Sequence, residues 1–142
     1  MQLDKFTDYA LRILVTLTTR APDRVATSDI AQIYGLSANH LSKVATELVR
    51  TGFVISERGR GGGLILARPP EQINIGAVLR ALKQGDPVVE CFSTGSTCLI
   101  QTICGLRTPL AEAKEAFFSS LDRYTLADVT RNRAQLYKML AP

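Results

Sequence analysis

Apolar residues recur first at three- and four-residue steps. Phe6, Ala10, Ile13, Leu14 and Leu17 form one stripe over residues 1–20, the period of an amphipathic helix. Pro22 and Asp23 end it. The period restarts over Thr27–Tyr34, with Ile30, Ala31 and Ile33 as an inner face and Thr27 or Ser28 placed to cap the exposed amides. Gly35 permits a tight turn, and Ser37 is placed to cap a third helix running to about Arg50. Its inward positions are Leu41, Val44, Ala45, Leu48 and Val49, and Gly52 stops it.

The pattern then shortens. In "FVISERGRGGGLILARPP" the runs Phe53–Ile55 and Leu64–Leu66 suit strands, and the glycine- and arginine-rich stretch between them suits a hairpin tip. A short helix follows at about Ile75–Lys83, with Ile75, Val78, Leu79 and Leu82 on one side. The segment "CFSTGSTCLIQTIC", residues 91–104, reads mostly as loop. A long helix is expected from Pro109, with Leu110, Ala113, Phe117, Leu121 and Tyr124 along one face. The tail "TLADVTRNRAQLYKML" reads as partly helical at best. The expected fold is mostly α with a small β-wing. It comprises a winged helix-turn-helix domain over residues 1–84, a cysteine loop over 85–108, and a dimerisation helix with its tail over 109–142.

Composition narrows the function. A chain of 142 residues makes one domain with a real core, burying roughly 70% of its unfolded surface without disulfides. No apolar run approaches the ~18 residues of a membrane span. The start "MQLDKFTDY" lacks the features of a secretory signal, so a cytoplasmic protein with reduced thiols is expected. The formal charge of +4 favours a polyanionic partner, to a degree set by where the charge sits.

It sits where DNA would be read. The two helices around "YGLS" have helix-turn-helix layout: Ala31 lets them cross closely, Gly35 supplies the turn, and Leu41 and Val44 fix the second helix to the core. Asn39, His40, Ser42 and Lys43 then face outward near its N-terminal end, where base edges are reached. An ordinary helical hairpin with a polar face shares that pattern; the wing separates them. Arg58, Arg60, Gly61 and Gly62 lie on the hairpin tip, where arginine can enter a narrow groove and glycine lets backbone approach phosphate. With Ser28 and Ser37 at the helix starts, these are the candidate DNA-binding residues. A nucleotide phosphate loop is the weaker reading, because "GRGGG" has no Walker lysine and opens a strand. One helix-turn-helix reads a half-site, so a twofold dimer through the helix after Pro109 is expected on a pseudo-palindromic duplex.

The three cysteines of the chain, Cys91, Cys98 and Cys104, occupy fourteen residues at spacing C-x6-C-x5-C. Zinc ligands usually come as closer pairs, whereas iron–sulfur clusters accept wider gaps; zinc and a purely structural role stay open at this point. A catalytic thiol needs a base, and the one histidine, His40, belongs to the DNA-reading helix, so no enzyme is expected.

The stretches "LDKFTDYALRIL", "LSANHLSKVATELVRTGFV", "RGRGGGLILARPP", the three-cysteine loop and "YTLADV" together resemble the winged-helix iron–sulfur regulators of the Rrf type over essentially the whole chain. Within that family, "FTDYALR", "YTLADV" and "LYKML" are similar to the nitric-oxide-sensing repressors. The resemblance implies that Cys91, Cys98 and Cys104 are cluster ligands, and that Asp8 of the second protomer completes a [4Fe-4S] cluster, with [2Fe-2S] as the alternative. The biogenesis branch has a histidine soon after the third cysteine; here "GLRTPL" follows Cys104. The six-residue gap between Cys91 and Cys98 is longer than the four or five expected, and Glu90 is a less suitable substitute ligand than Asp8. The implied function is a homodimer that binds double-stranded operator DNA and represses nitric-oxide-detoxification genes until nitrosylation of the cluster releases it. A regulator of redox or iron status, or a zinc-binding winged helix, is the alternative.

Overall fold

The first helix is the element that most of the others touch. The computed structural model describes residues 3–83 and 85–141. Helix α1 (Lys5–Arg20) starts where Asp4 caps it, its carboxylate accepting from the Thr7 amide at 2.7 Å. The expected start at residue 1 lies outside the described residues, as does the expected domain boundary at residue 84. Ala10, Ile13, Leu14 and Leu17 are buried and join one continuous core.

Helices α2 (Thr27–Tyr34) and α3 (Ala38–Arg50) cross beside α1. The expected cap by Thr27 or Ser28 does not form, because Ala26 is the N-cap and supplies no side-chain bond. The cause is non-local. Val25 exchanges backbone hydrogen bonds with Leu64 at 3.1 and 2.9 Å, which fixes the connector extended up to Ala26. The turn residues are as expected: Gly35 is left-handed (φ 63°), and the Ser37 hydroxyl accepts from the His40 amide at 3.3 Å. Leu41, Val44, Ala45 and Leu48 are buried, but Val49 is 39% exposed. One residue past Leu48 lies about 100° further round the helix, off the inner face.

Strands β1 (Val54–Glu57) and β2 (Gly63–Leu66) pair antiparallel, Val54 opposite Leu66 and Glu57 opposite Gly63. Phe53 is buried just before β1 rather than within it. A Cβ on Gly63 would lie 3.0 Å from the Val25 backbone, so glycine is what admits the connector beside β2. Arg24 and Glu57 pair at 2.7 Å and tie that connector to the wing.

A 3-10 turn (Pro70–Gln72) leads to helix α4 (Ile75–Lys83). Helix α5 spans Arg107–Leu121, starting before the expected Pro109. Proline in a first turn removes a donor that would have no helical partner anyway, so it does not set the start. Tyr124 falls beyond the helix and is exposed.

The tail differs from the sequence expectation. It forms helices α6 (Leu126–Val129) and α7 (Arg133–Met139) that return to α1. Thr125 and Asp128 form a reciprocal capping box, and Leu126 is fully buried with its amide donating to the Ile73 carbonyl at 2.8 Å. Arg133 Nε donates to the Thr19 carbonyl at 3.1 Å, and Arg20 donates to the Leu140 carbonyl beside the Tyr137 ring. The tail thus supplies a donor to the Thr19 carbonyl, one of those left without a helical partner at the end of α1, while the Arg20 carbonyl accepts from the Asp23 amide.

Candidate DNA-reading face and cysteine loop

Of the candidate DNA residues, Ser42 and Arg58 line one groove between α3 and the wing. Asn39, Ser42 and Lys43 are exposed on the first turns of α3, and Ser28 is exposed at the start of α2. Ser37 is exposed but its hydroxyl is engaged in the cap. His40 is half-buried, its ring edge-on to Tyr9 of α1 with centroids 5.2 Å apart. Arg58 and Arg60 are exposed on the wing. Among the described residues, Lys43, Arg58 and Arg60 form no ion pair, whereas Arg24, Arg50 and Arg80 do. Their charge is therefore free to meet a phosphate backbone, a property they share with cations elsewhere in the chain such as Lys5, Arg107 and Lys138.

Glycines at the hairpin tip are favoured for different reasons, Gly59 being left-handed with φ 93°. Gly61 is left-handed (φ 75°), and a Cβ on Gly62 would lie 2.3 Å from the Glu57 carbonyl oxygen. Between α3 and the wing runs a groove of about 430 Å³ lined by Thr27, Ser42, Thr46, Val49, Ser56 and Arg58. Ser42 and Thr46 each donate their hydroxyl proton to a carbonyl of α3, at 2.9 Å, which leaves oxygen lone pairs toward the groove. Thr46 and Ser56 carry no signal of their own in the sequence and Thr27 reads there only as a helix cap, although Ser42 and Thr46 are four apart and so share an outer helix face.

Asp8 lies half-buried in the first turn of α1 and is held by Arg12, which donates to its two oxygens at 3.2 and 2.8 Å. The Arg12 guanidinium stands 5.7 Å from the Tyr9 ring centroid and 5.4 Å from that of Tyr34, and its charged form is favoured by the Asp8 hydrogen bond above all. Tyr9 in turn touches His40 of the recognition helix.

Cys91, Cys98 and Cys104 are free thiols in a loop that begins with a 3-10 turn (Glu90–Phe92). Cys98 is exposed and the other two are half-buried. No group of three or more histidine, cysteine or acidic side chains converges as a metal site among the described residues, so the structure does not gather the three thiols. The donor chemistry nevertheless fits an iron–sulfur cluster, with three unpaired thiols in one loop and none taken by a disulfide. Glu90 is occupied, accepting through Oε1 from the Thr97 hydroxyl at 2.9 Å and the Thr97 amide at 3.1 Å. Those two bonds hold its carboxyl below the usual range. Around the thiols the surface is apolar and uncovered: Leu99 is 98% exposed and Ile103 85%. On α5 Phe118 is buried, while Ala113 lies open.

The stem of the loop is tied to α1. Lys83 bridges the carboxylates of Asp4, the cap of α1, and Asp86, and Lys114 donates to the Asp86 carbonyl at 2.7 Å. Burial opposes the charge on Asp4, but the bonds from Lys83 and Thr7 outweigh it and hold its carboxyl below the ordinary value.

Comparison with known proteins adds three findings. Residues 3–132 match the Rrf2 family, described as an iron-dependent transcriptional regulator. The chain is 42% identical over 142 residues to the HTH-type transcriptional regulator NsrR of Bacillus subtilis and 43% identical to that of Geobacillus kaustophilus, covering 99% of this chain and 97% of each relative. Among solved structures it is similar to T. potens IscR (TM-score 0.73, 26% identity, 93% of this chain and 88% of the other). It is also similar to CymR, the global cysteine regulator of B. subtilis (TM-score 0.70, 25% identity, 93% and 98%).

Proposed function

We propose, from the premise that this chain belongs to the Rrf2 family of transcriptional regulators, that it is a nitric-oxide-sensing repressor acting as a homodimer on double-stranded operator DNA. The carrying observation is the full-length likeness to regulators named NsrR, the nitric-oxide-sensing branch that "FTDYALR" and "YTLADV" resemble. Three free thiols in one loop support it. No helix among the described residues is long and apolar enough to cross a membrane. The protein acts by binding in the cytoplasm, and no catalytic residue is assigned.

In this reading Cys91, Cys98 and Cys104 of one protomer hold an iron–sulfur cluster, of the [4Fe-4S] type with [2Fe-2S] as the alternative, and Asp8 of the second protomer supplies the remaining ligand. The cluster, when bound, supplies an iron site open to nitric oxide. Carboxylate is a harder ligand than thiolate and is held less firmly by iron, so Asp8 would be the most weakly held of the four ligands. Arg12 stands beside Asp8 as an alternative partner for its carboxylate. Through Tyr9 the same turn of α1 touches His40, so a shift of Asp8 and Arg12 bears on the recognition helix. The uncovered apolar surface of the loop, with the half-buried Leu110 and Phe117 of α5, is the face given to the second protomer. Asn39, Ser42 and Lys43 read the major groove while Arg58 and Arg60 of the wing hold the backbone or minor groove.

Anaerobic purification with iron and sulfide counts on the wild type and on single Cys→Ser variants tests the site. Equal iron and sulfide, lost in each variant, is expected. Zinc in their place, or a wild type that takes up neither, would sink the assignment. Sedimentation at micromolar concentration checks the dimer, and a stable monomer would remove it.

A further inference from the structure

The gap between Cys91 and Cys98 is longer than expected, and the structure closes it with a side chain. Glu90 stands immediately before Cys91, and Thr97 immediately before Cys98. Across the gap, one oxygen of Glu90 accepts both the Thr97 amide (3.1 Å) and the Thr97 hydroxyl (2.9 Å). Inside the ring so closed, the Ser93 amide donates to the Glu90 carbonyl at 2.9 Å, and Gly95 reverses the chain with φ 82°. The Cys98 amide donates to the Ser96 hydroxyl at 3.3 Å. None of these bonds uses sulfur. Among the described residues Glu90 forms no ion pair, so hydrogen bonds alone fix its carboxylate.

We propose that Glu90 is the positioning residue of the cysteine loop: clasping Thr97, it closes the six-residue gap and fixes the backbones of Cys91 and Cys98, one residue past each arm, for a shared ligand. The inference rests on the reading that these thiols hold a cluster. Its physical basis is preorganisation. An open loop loses conformational entropy each time both ends engage one ligand, whereas a loop already closed has lost it before binding. An ionised acceptor makes the stronger clasp, which is why glutamate suits the position. The clasp also explains how a longer gap is tolerated: the added chain is folded into a turn of its own, outside the path between the two thiols.

The test uses the full-length protein, purified anaerobically, as wild type, Glu90→Ala, Thr97→Val and the double variant. The first readout is the rate at which an excess of a ferrous chelator strips iron from the loaded protein. Glu90→Ala should release iron about fivefold faster and Thr97→Val about twofold faster, the order supplied by one or two exchanged hydrogen bonds. The double variant should be no faster than Glu90→Ala, since both substitutions break one clasp. The second readout needs no cluster: amide exchange at Thr97 in the apo protein, slow in the wild type and fast in Glu90→Ala. Glu90 is exposed and outside the core, and a thermal melt of each variant checks that the fold is kept. A faster Thr97 exchange with unchanged iron release would overturn the proposal. So would a Glu90→Ala effect that Thr97→Val does not share, which would make Glu90 a ligand instead. A wild type that binds no iron or sulfide fails at the underlying reading, and the proposal falls with it.

Discussion

Gly62→Ala isolates the shape of the wing from the stability of the fold. The added Cβ would lie 2.3 Å from the Glu57 carbonyl oxygen and 2.9 Å from that of Gly59, where ordinary contact begins near 3.4 Å. Both neighbours are backbone, so the tip itself must open by about 1 Å. Opening breaks the turn bond from the Gly62 amide to the Gly59 carbonyl, now 3.0 Å. One exposed bond is worth about 1 kcal/mol, a fall in Tm of roughly 3–5 °C for a chain of this size. Arg58 and Arg60 flank the opened tip. If one of them no longer reaches its groove or phosphate, binding weakens by about 1–3 kcal/mol, or roughly 5–150-fold in affinity. The salt dependence of binding should fall by about one unit for each phosphate no longer reached. Gly61→Ala is the control: open space surrounds it, leaving only the left-handed backbone penalty of about 1–2 kcal/mol. The assay is fluorescence anisotropy on a duplex selected from random sequences, titrated with salt, beside a thermal melt. Wild-type affinity and salt slope in Gly62→Ala, with the melt shifted as expected, would remove the wing from the DNA interface.

Other consequences follow from the packing. Leu126→Ala empties a fully buried position and should destabilise the fold by about 2–5 kcal/mol in urea titration, while a loss under 1 kcal/mol would show that the tail is not docked. Thr125→Ala removes the cap of α6 and should cost about 1 kcal/mol by the same titration. Acid should unfold the chain through Asp4, among other carboxyls. Its folded value lies below the ordinary 3.8, so its share of stability is present above that pH and lost as pH falls through the folded value. A urea midpoint flat from neutrality to below pH 3 would contradict this, and Lys83→Met should weaken the acid limb by removing one partner of Asp4.

How much of this is legible in the residues depends on range. The helix-turn-helix rests on dense local signals: α2 spans the stretch its apolar period marks, and Ser37 caps α3 as its type and place imply. Asp8 and Arg12 are four apart on a helix, a pairing the spacing itself permits. Longer-range features leave no such trace. Ala26 becomes a cap because Val25 pairs with Leu64, nearly forty residues on. The tail buries Leu126 and Leu140 without a continuous stripe, and its docking relies on arginines reaching backbone carbonyls. By type and place Glu90 is only a weak ligand candidate beside Cys91; its bonds to Thr97 arise once the loop has turned. Spacing identifies the thiols as a set, yet their convergence is not built into the chain alone. That is the expected state of a site whose ligand organises it and whose last donor is proposed to come from another protomer.

The central claim is that nitric oxide, acting at the cysteine loop, governs DNA binding. Its most direct test is an anaerobic titration of nitric oxide into the cluster-loaded dimer on fluorescent operator duplex, following absorbance of the cluster and anisotropy of the DNA together. The account predicts that anisotropy falls to that of free DNA as the cluster spectrum is lost. Undiminished affinity after the cluster has fully reacted would contradict it.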